Sequence, residues 1–139
     1  NVPFGRYKEP YCPEEESRWF AFKAKNAACV CVHYQDTLEK AEKESVIYCD
    51  PPYAPLSATA NFTAYHANNF SRAAQQSFAQ LARRLSAESQ IPVLISNHDT
   101  LLTREWYQEA VLYVVKARRT ISRNILGRSK VNELLALYR

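Results

Sequence analysis

The stretch SVIYCDPPYAPL, Ser45–Leu56, decides how the chain is read. Its first part, SVIYC, is an apolar run without alternation after Ser45, the pattern of a strand buried on both faces. Its second part ends that strand, because the adjacent Pro51 and Pro52 have no N–H to give to a ladder. A carboxylate, Asp50, stands at the junction, and an aromatic ring, Tyr53, follows the prolines. In open α/β sheets, ligands bind outside the carboxyl ends of strands, which is where this carboxylate falls.

Outward from that stretch, the pattern alternates. SRWFAFKAKNAA (Ser17–Ala28) reads as a short helix with Ser17 at its cap, and CVCVHY (Cys29–Tyr34) as a strand. Asp36 with Glu39 three residues on is a capping-box-like helix start. Ser71–Ser89 is an amphipathic helix with Ala74, Phe78, Leu81, Ala82 and Leu85 on one stripe. IPVLIS (Ile91–Ser96) is a second buried strand, and Asn97, His98 and Asp99 follow at its end. A short helix begins at Thr103, and strands are expected at Val111–Ala117 and Glu133–Tyr138. Such alternation predicts an α/β sheet with right-handed crossovers, its last two strands pairing as an antiparallel hairpin. Two segments stay irregular: the first sixteen residues, with three prolines and a glycine, and the largely polar, fourteen-residue segment Ser57–Phe70. An unstructured connection as long as the second is often a lid over a site.

Length and composition bound the function. A chain of 139 residues, 47% hydrophobic and 23% charged, suits one soluble globular domain. No apolar run approaches the ~20 residues of a membrane span, and no secretory leader pattern is present. The chain starts at Asn1 and contains no methionine, so it reads as an excerpt of a longer protein. Cys12, Cys29, Cys31 and Cys49 show no zinc spacing and are expected to be reduced and mostly buried in a cytosolic protein, without a metal. Gly5 and Gly127 are the only glycines, too few for a loop that cradles phosphates or a nucleotide. If such a cofactor is used, its main loop lies elsewhere. Charge is uneven: Lys116–Lys130 holds six basic residues and no acid, which suits a polyanion such as nucleic acid.

Asp-Pro-Pro-Tyr fits one chemical problem well. The exocyclic amine of a nucleobase is a poor nucleophile, because its lone pair is conjugated with the ring. Two acceptors, the Asp50 carboxylate and the Pro51 carbonyl, can each take one N–H and favour a tetrahedral nitrogen whose lone pair faces an electrophile. The prolines hold that carbonyl rigidly. Tyr53 can stack on the base, worth roughly 1–3 kcal/mol, once the base has left the duplex. Catalysis of this kind rests on positioning and electrostatics.

NVPFGRYK, YCDPPYAPLSATANFTAYH, IPVLISNHDT, LTREWYQ and VNELLALY together resemble the DNA adenine methyltransferases of the Dam family, over nearly the whole chain. The resemblance implies the carboxy-terminal half of an enzyme that methylates adenine N6 in GATC sites of double-stranded DNA from S-adenosylmethionine. It implies part of a Rossmann-like methyltransferase fold, with a mostly parallel sheet and a C-terminal antiparallel hairpin. Residues 1–16 would be the tail of the target-recognition region and residues 17–139 part of the catalytic domain, completed by the amino-terminal half of the same protein. Asp50, Pro51, Pro52 and Tyr53 would be catalytic, and Asp50, Tyr34 and Asp36 would meet the cofactor. Pro3, Arg6, Tyr7, Lys8, Asn61, Phe62, Arg118 and Arg119 would meet the DNA, with the ANFTAYH loop closing over the flipped adenine. The location implied is the bacterial cytoplasm, at the nucleoid. Ile125 and Leu126 depart from the small residues common at that point of the family.

Two other functions fit the same motif: an amino-methyltransferase acting on RNA, and a non-catalytic DNA-binding fragment that lacks the cofactor loop. Trp19, Trp106, Tyr107 and Tyr113 read as packing residues, and His33 and His66 as ordinary polar ones. His98 and Asp99 are adjacent at a strand end and point apart, which argues against a base–orienter pair.

Overall fold

The computed structural model describes residues 11–56, 70–118 and 130–139, and the chain divides into two units, Asn1–Val32 and His33–Arg139. In the first unit, α1 (Glu14–Ala24) starts one turn earlier than the sequence predicts. Glu14, Glu15 and Glu16 crowd its first turn and Lys23 its last, each charge complementing the helix dipole. Ser17, the expected cap, instead donates back to the Pro13 carbonyl (2.6 Å). None of the α1 side chains is buried. Trp19 stacks on Phe22 at the surface, with the Lys23 ammonium over its ring.

The strand expected at Cys29–Tyr34 does not form: residues 29–33 join no ladder, and Tyr34 begins a helix. A strand exists only through its neighbours, and no described segment pairs with this one. The same fact corrects the expectation of mostly buried cysteines. Cys12, Cys29 and Cys31 are exposed, and only Cys49 is half-buried.

The second unit contains α2 (Tyr34–Glu39), β1 (Ile47–Cys49), α3 (Arg72–Ser89), β2 (Val93–His98), α4 (Leu101–Trp106), β3 (Val111–Arg118) and β4 (Lys130–Tyr138). His33 rather than Asp36 caps α2, accepting from the Gln35 N–H. Ser71 caps α3 by accepting from the Ala74 N–H (3.2 Å), and α3 ends on Gln90 in the left-handed region (φ 56°). Thr100 and Thr103 close a reciprocal capping box on α4.

The sheet order is β1-β2-β4-β3. β1 runs parallel to β2, while β4 inserts antiparallel between β2 and β3. The α/β class and the β3–β4 antiparallel pair are as expected, but a mostly parallel sheet is not: one pair in three is parallel among the described residues. Registers define two faces. Val93, Ile95, Leu134, Ala136 and Tyr138 lie on one and are buried under Phe78, Ala79, Ala82 and Leu85 of α3, with Leu38 of α2 and Tyr107 beside them. Each large apolar side chain buried there contributes roughly 1.5–3 kcal/mol. The opposite face carries Tyr48, Val111, Tyr113 and Val115, all exposed, so β1 is covered on one side and not on both. No helix among the described residues is long and apolar enough to cross a membrane.

Candidate active site

The parallel register of β1 and β2 brings Cys49 opposite Ile95, so the chain leaves β1 beside Ser96, Asn97 and His98. These three residues grip the turn that leaves β1. The buried Ser96 hydroxyl donates to Asp50 Oδ1 (2.8 Å) and accepts from the Tyr48 hydroxyl (3.1 Å). Asn97 Oδ1 accepts the Ala54 N–H (2.8 Å). His98 Nδ1 meets the Ala54 carbonyl (2.7 Å), and since a carbonyl can only accept, Nδ1 carries the proton. From α3, Gln75 Nε2 donates to the Pro52 carbonyl (2.5 Å).

Gln75 and Asn97 are fully buried amides. A buried amide without partners costs about 1–3 kcal/mol, so their bonding must be nearly complete. Asn97 Nδ2 donates to the Tyr107 hydroxyl (3.1 Å) and lies 3.5 Å from Gln75 Oε1. Burial pushes the Tyr107 phenol up to about 12, which keeps it a neutral hydrogen-bonding group. Among the described residues, no hydrogen bond or ion pair takes Asp50 Oδ2 or the Pro51 carbonyl. The network therefore holds Asp50 Oδ1, the Pro52 carbonyl and both backbone polar groups of Ala54, and no described residue takes Asp50 Oδ2 or the Pro51 carbonyl.

Asp50, Pro51 and Pro52 also line a cavity of about 430 Å³. Its other walls include Tyr34, Leu38, Ile47, Phe70 and Phe78. Tyr34 packs edge-on against Phe70 (5.8 Å) and Phe78 (5.5 Å), and burial raises its phenol. The cavity is thus an aromatic and apolar pocket with one carboxylate at its edge. Cys49 forms part of the wall, its thiol pushed up to about 11 by burial.

Of the residues expected to meet the cofactor, Tyr34 and Asp50 come together at this cavity. Asp36 does not line it; it is exposed in the first turn of α2. Tyr53 turns to the other side and packs edge-to-face on His98, centroids 4.9 Å apart. Burial raises its phenol, with a hydrogen bond to Ser96 working against that. Asp99 is bound twice by the Arg104 guanidinium (2.6 and 3.0 Å), so it does not orient His98. Pro3, Arg6, Tyr7, Lys8, Asn61, Phe62 and Arg119, the ANFTAYH loop, His66, Ile125 and Leu126 lie outside the described residues. Arg118 is placed only by its backbone, which pairs with Lys130.

Two residues of the network escaped sequence reading, Gln75 and Ser96, while Asn97 was placed on the rim without a role. One signal was available, since Gln75 lies three residues before Phe78, on the core stripe of α3, where a polar residue needs a reason. Among the described residues, no group of three or more His, Cys, Asp and Glu side chains could hold a metal ion.

Comparison with known proteins carries the assignment further. The sequence pattern of the D12 class N6 adenine-specific DNA methyltransferases matches residues 1–121. The chain is 76% identical over 139 residues to a DNA adenine methylase of Serratia marcescens, covering 100% of this chain and 52% of that protein. It is 63% identical over 139 residues to the DNA adenine methylase of Escherichia coli strain K12 (100% and 50%). Over 138 residues it is 57% identical to that of Vibrio cholerae (99% and 50%). The chain spans about half the length of these curated relatives. With that match over most of its length, and with the carboxylate and prolines at a strand end, the chain belongs to the D12 class N6 adenine-specific DNA methyltransferase family.

Proposed function

We propose that the protein containing this chain transfers a methyl group to the N6 amino group of a flipped adenine in double-stranded DNA, within GATC, with S-adenosylmethionine as donor. The observation that carries the reading is the pair of acceptors Asp50 Oδ2 and the Pro51 carbonyl, which no described residue takes, on a turn held at Asp50 Oδ1, the Pro52 carbonyl and Ala54. Each accepts one N–H of the adenine amine. Drawing both hydrogens out of plane weakens conjugation and turns the lone pair outward. Tyr53 supplies a stacking surface, and Pro52 keeps the preceding carbonyl from swinging.

The cavity beside Asp50 fits the donor in kind. Its apolar and aromatic walls suit a purine and a thioether-like chain, and the Asp50 carboxylate suits the donor's positive charge. When bound, S-adenosylmethionine supplies an electrophilic methyl group. Tyr34, Phe70 and the prolines would wall the cofactor, and Asp36 would join them only from its exposed place on α2. We further read the sheet as part of a Rossmann-like methyltransferase fold. Residues 1–16 then belong to the target-recognition region, and the amino-terminal half of the protein completes residues 17–139. Pro3, Arg6, Tyr7, Lys8, Asn61, Phe62, Arg118 and Arg119 are assigned to the DNA. The place of action is the bacterial cytoplasm, at the nucleoid.

The test incubates the full-length protein with methyl-labelled donor and matched DNA duplexes with and without GATC, together with RNA. Label recovered as N6-methyladenine in the GATC duplex supports the reading. Label confined to RNA, or to a base other than adenine, contradicts it.

A further inference from the structure

The two peptide planes that bracket Tyr53 are each held by a buried side-chain amide. On its amino side the Pro52 carbonyl accepts from Gln75, and on its carboxyl side the Ala54 N–H is taken by Asn97. Gln75 comes from α3 and Asn97 from β2, so two different elements clamp one residue. The two amides face each other, and Tyr107 satisfies the remaining Asn97 donor. A core-facing helix position and a fully buried strand position are where apolar residues pack best, and here both carry amides aimed at the same turn. Fixing both planes fixes the backbone torsions of Tyr53, and with them the direction in which its ring leaves the chain.

We propose that Gln75 and Asn97 are positioning residues for methyl transfer, acting through Tyr53 by clamping the backbone on both sides of it. The inference rests on the proposed adenine-methylating function and adds residues outside the Asp-Pro-Pro-Tyr motif. Gln75→Leu keeps the volume and removes the donor to Pro52, while Gln76→Leu makes the same change at an exposed neighbouring position of α3. Asn97→Ala removes the opposite arm of the clamp.

The experiment uses the full-length protein, single-turnover methylation of a GATC duplex, and a duplex carrying 2-aminopurine at the target position to report the unstacked base. Gln75→Leu is expected to slow methyl transfer roughly 10–100-fold, the scale of a small misplacement of a reacting group. Duplex and donor affinity should stay within about twofold of the parent, and the 2-aminopurine signal should change because the base is stacked differently. Asn97→Ala should behave likewise, and Gln76→Leu should match the parent. In a Tyr53→Ala background, Gln75→Leu should add little further loss, since the clamp then has no ring to aim. The proposal is overturned if Gln75→Leu methylates at the parental rate, or if its effect is undiminished in the Tyr53→Ala background. It is also overturned if the rate loss comes with an equal loss of donor binding and melting temperature, the mark of a packing defect. A parent protein that methylates no adenine breaks the underlying function instead, and is told apart because it needs no variant.

Discussion

The ends of β1 and β2 stand side by side on one rim, yet they do different work. The end of β1 carries two groups that no described residue takes, Asp50 Oδ2 and the Pro51 carbonyl, on a turn that cannot form a ladder. The end of β2 carries groups bonded within the described residues. Ser96 and Asn97 are buried: the Ser96 hydroxyl and Asn97 Oδ1 bond to the neighbouring turn, Asn97 Nδ2 bonds to Tyr107 and Gln75, and His98 spends its Nδ1 on the same turn. In the proposed function, one strand end presents the chemistry and the other sets its geometry. The division has a physical reason: a turn with two prolines is stiff but has few donors of its own, so its placement must come from outside.

On the β2 side, the effect expected after that of Asn97 is at Ser96. Ser96→Ala removes the hydroxyl that holds Asp50 Oδ1, and methyl transfer should fall about 10-fold at saturating substrate, with KM little changed. Ser96→Thr, which keeps the hydroxyl, should restore most of the rate. Parental activity in Ser96→Ala would mean that Asp50 holds its own orientation.

A smaller effect concerns Cys49, at the last position of β1. Burial moves its thiol from an ordinary 9.0 up to about 11, so at pH 8 it holds roughly 100-fold less thiolate than an exposed cysteine. Timed alkylation of the folded protein with peptide mapping should find Cys12, Cys29 and Cys31 modified well before Cys49. Burial favours the neutral thiol, so folding is opposed once the unfolded chain can ionise. The stabilising contribution of Cys49 is complete below about pH 9 and is lost as pH rises towards about 11. Cys49→Ala should therefore flatten the alkaline limb of a urea-midpoint profile over that window.

The smallest effect is purely structural and lies away from the rim. Gln90 closes α3 at φ 56°, where a side chain costs about 1 kcal/mol and glycine costs little. Gln90→Gly should raise stability by about that amount or somewhat less in urea unfolding, with methyl transfer unchanged. A change in rate from Gln90→Gly would tie the far end of α3 to the site that Gln75 serves from its first turns.

How much of this was legible depends on the range of the interaction. Helix α3 was readable because its stripe is local, and the β1 motif because two prolines stop a strand whatever surrounds it. The mostly parallel sheet failed because the place of β4, between β2 and β3, is decided by pairing partners far apart in the chain. Cys29–Tyr34 has the composition of a strand, but composition supplies no partner. At the proposed site, Asp50 and Pro51 could be singled out because their chemistry is their own. Ser96 and Gln75 could not, and Asn97 could be placed on the rim but given no role, because such residues mean something only beside what they touch.

The most direct measurement of the central claim is single-turnover methyl transfer by full-length protein carrying Asp50→Ala, on a GATC duplex, with donor and duplex binding measured in parallel. Removing an acceptor from the reacting amine should abolish detectable N6-methyladenine, a loss on the order of 1,000-fold or more, while the duplex is still bound. Near-parental methyl transfer by Asp50→Ala would contradict the account.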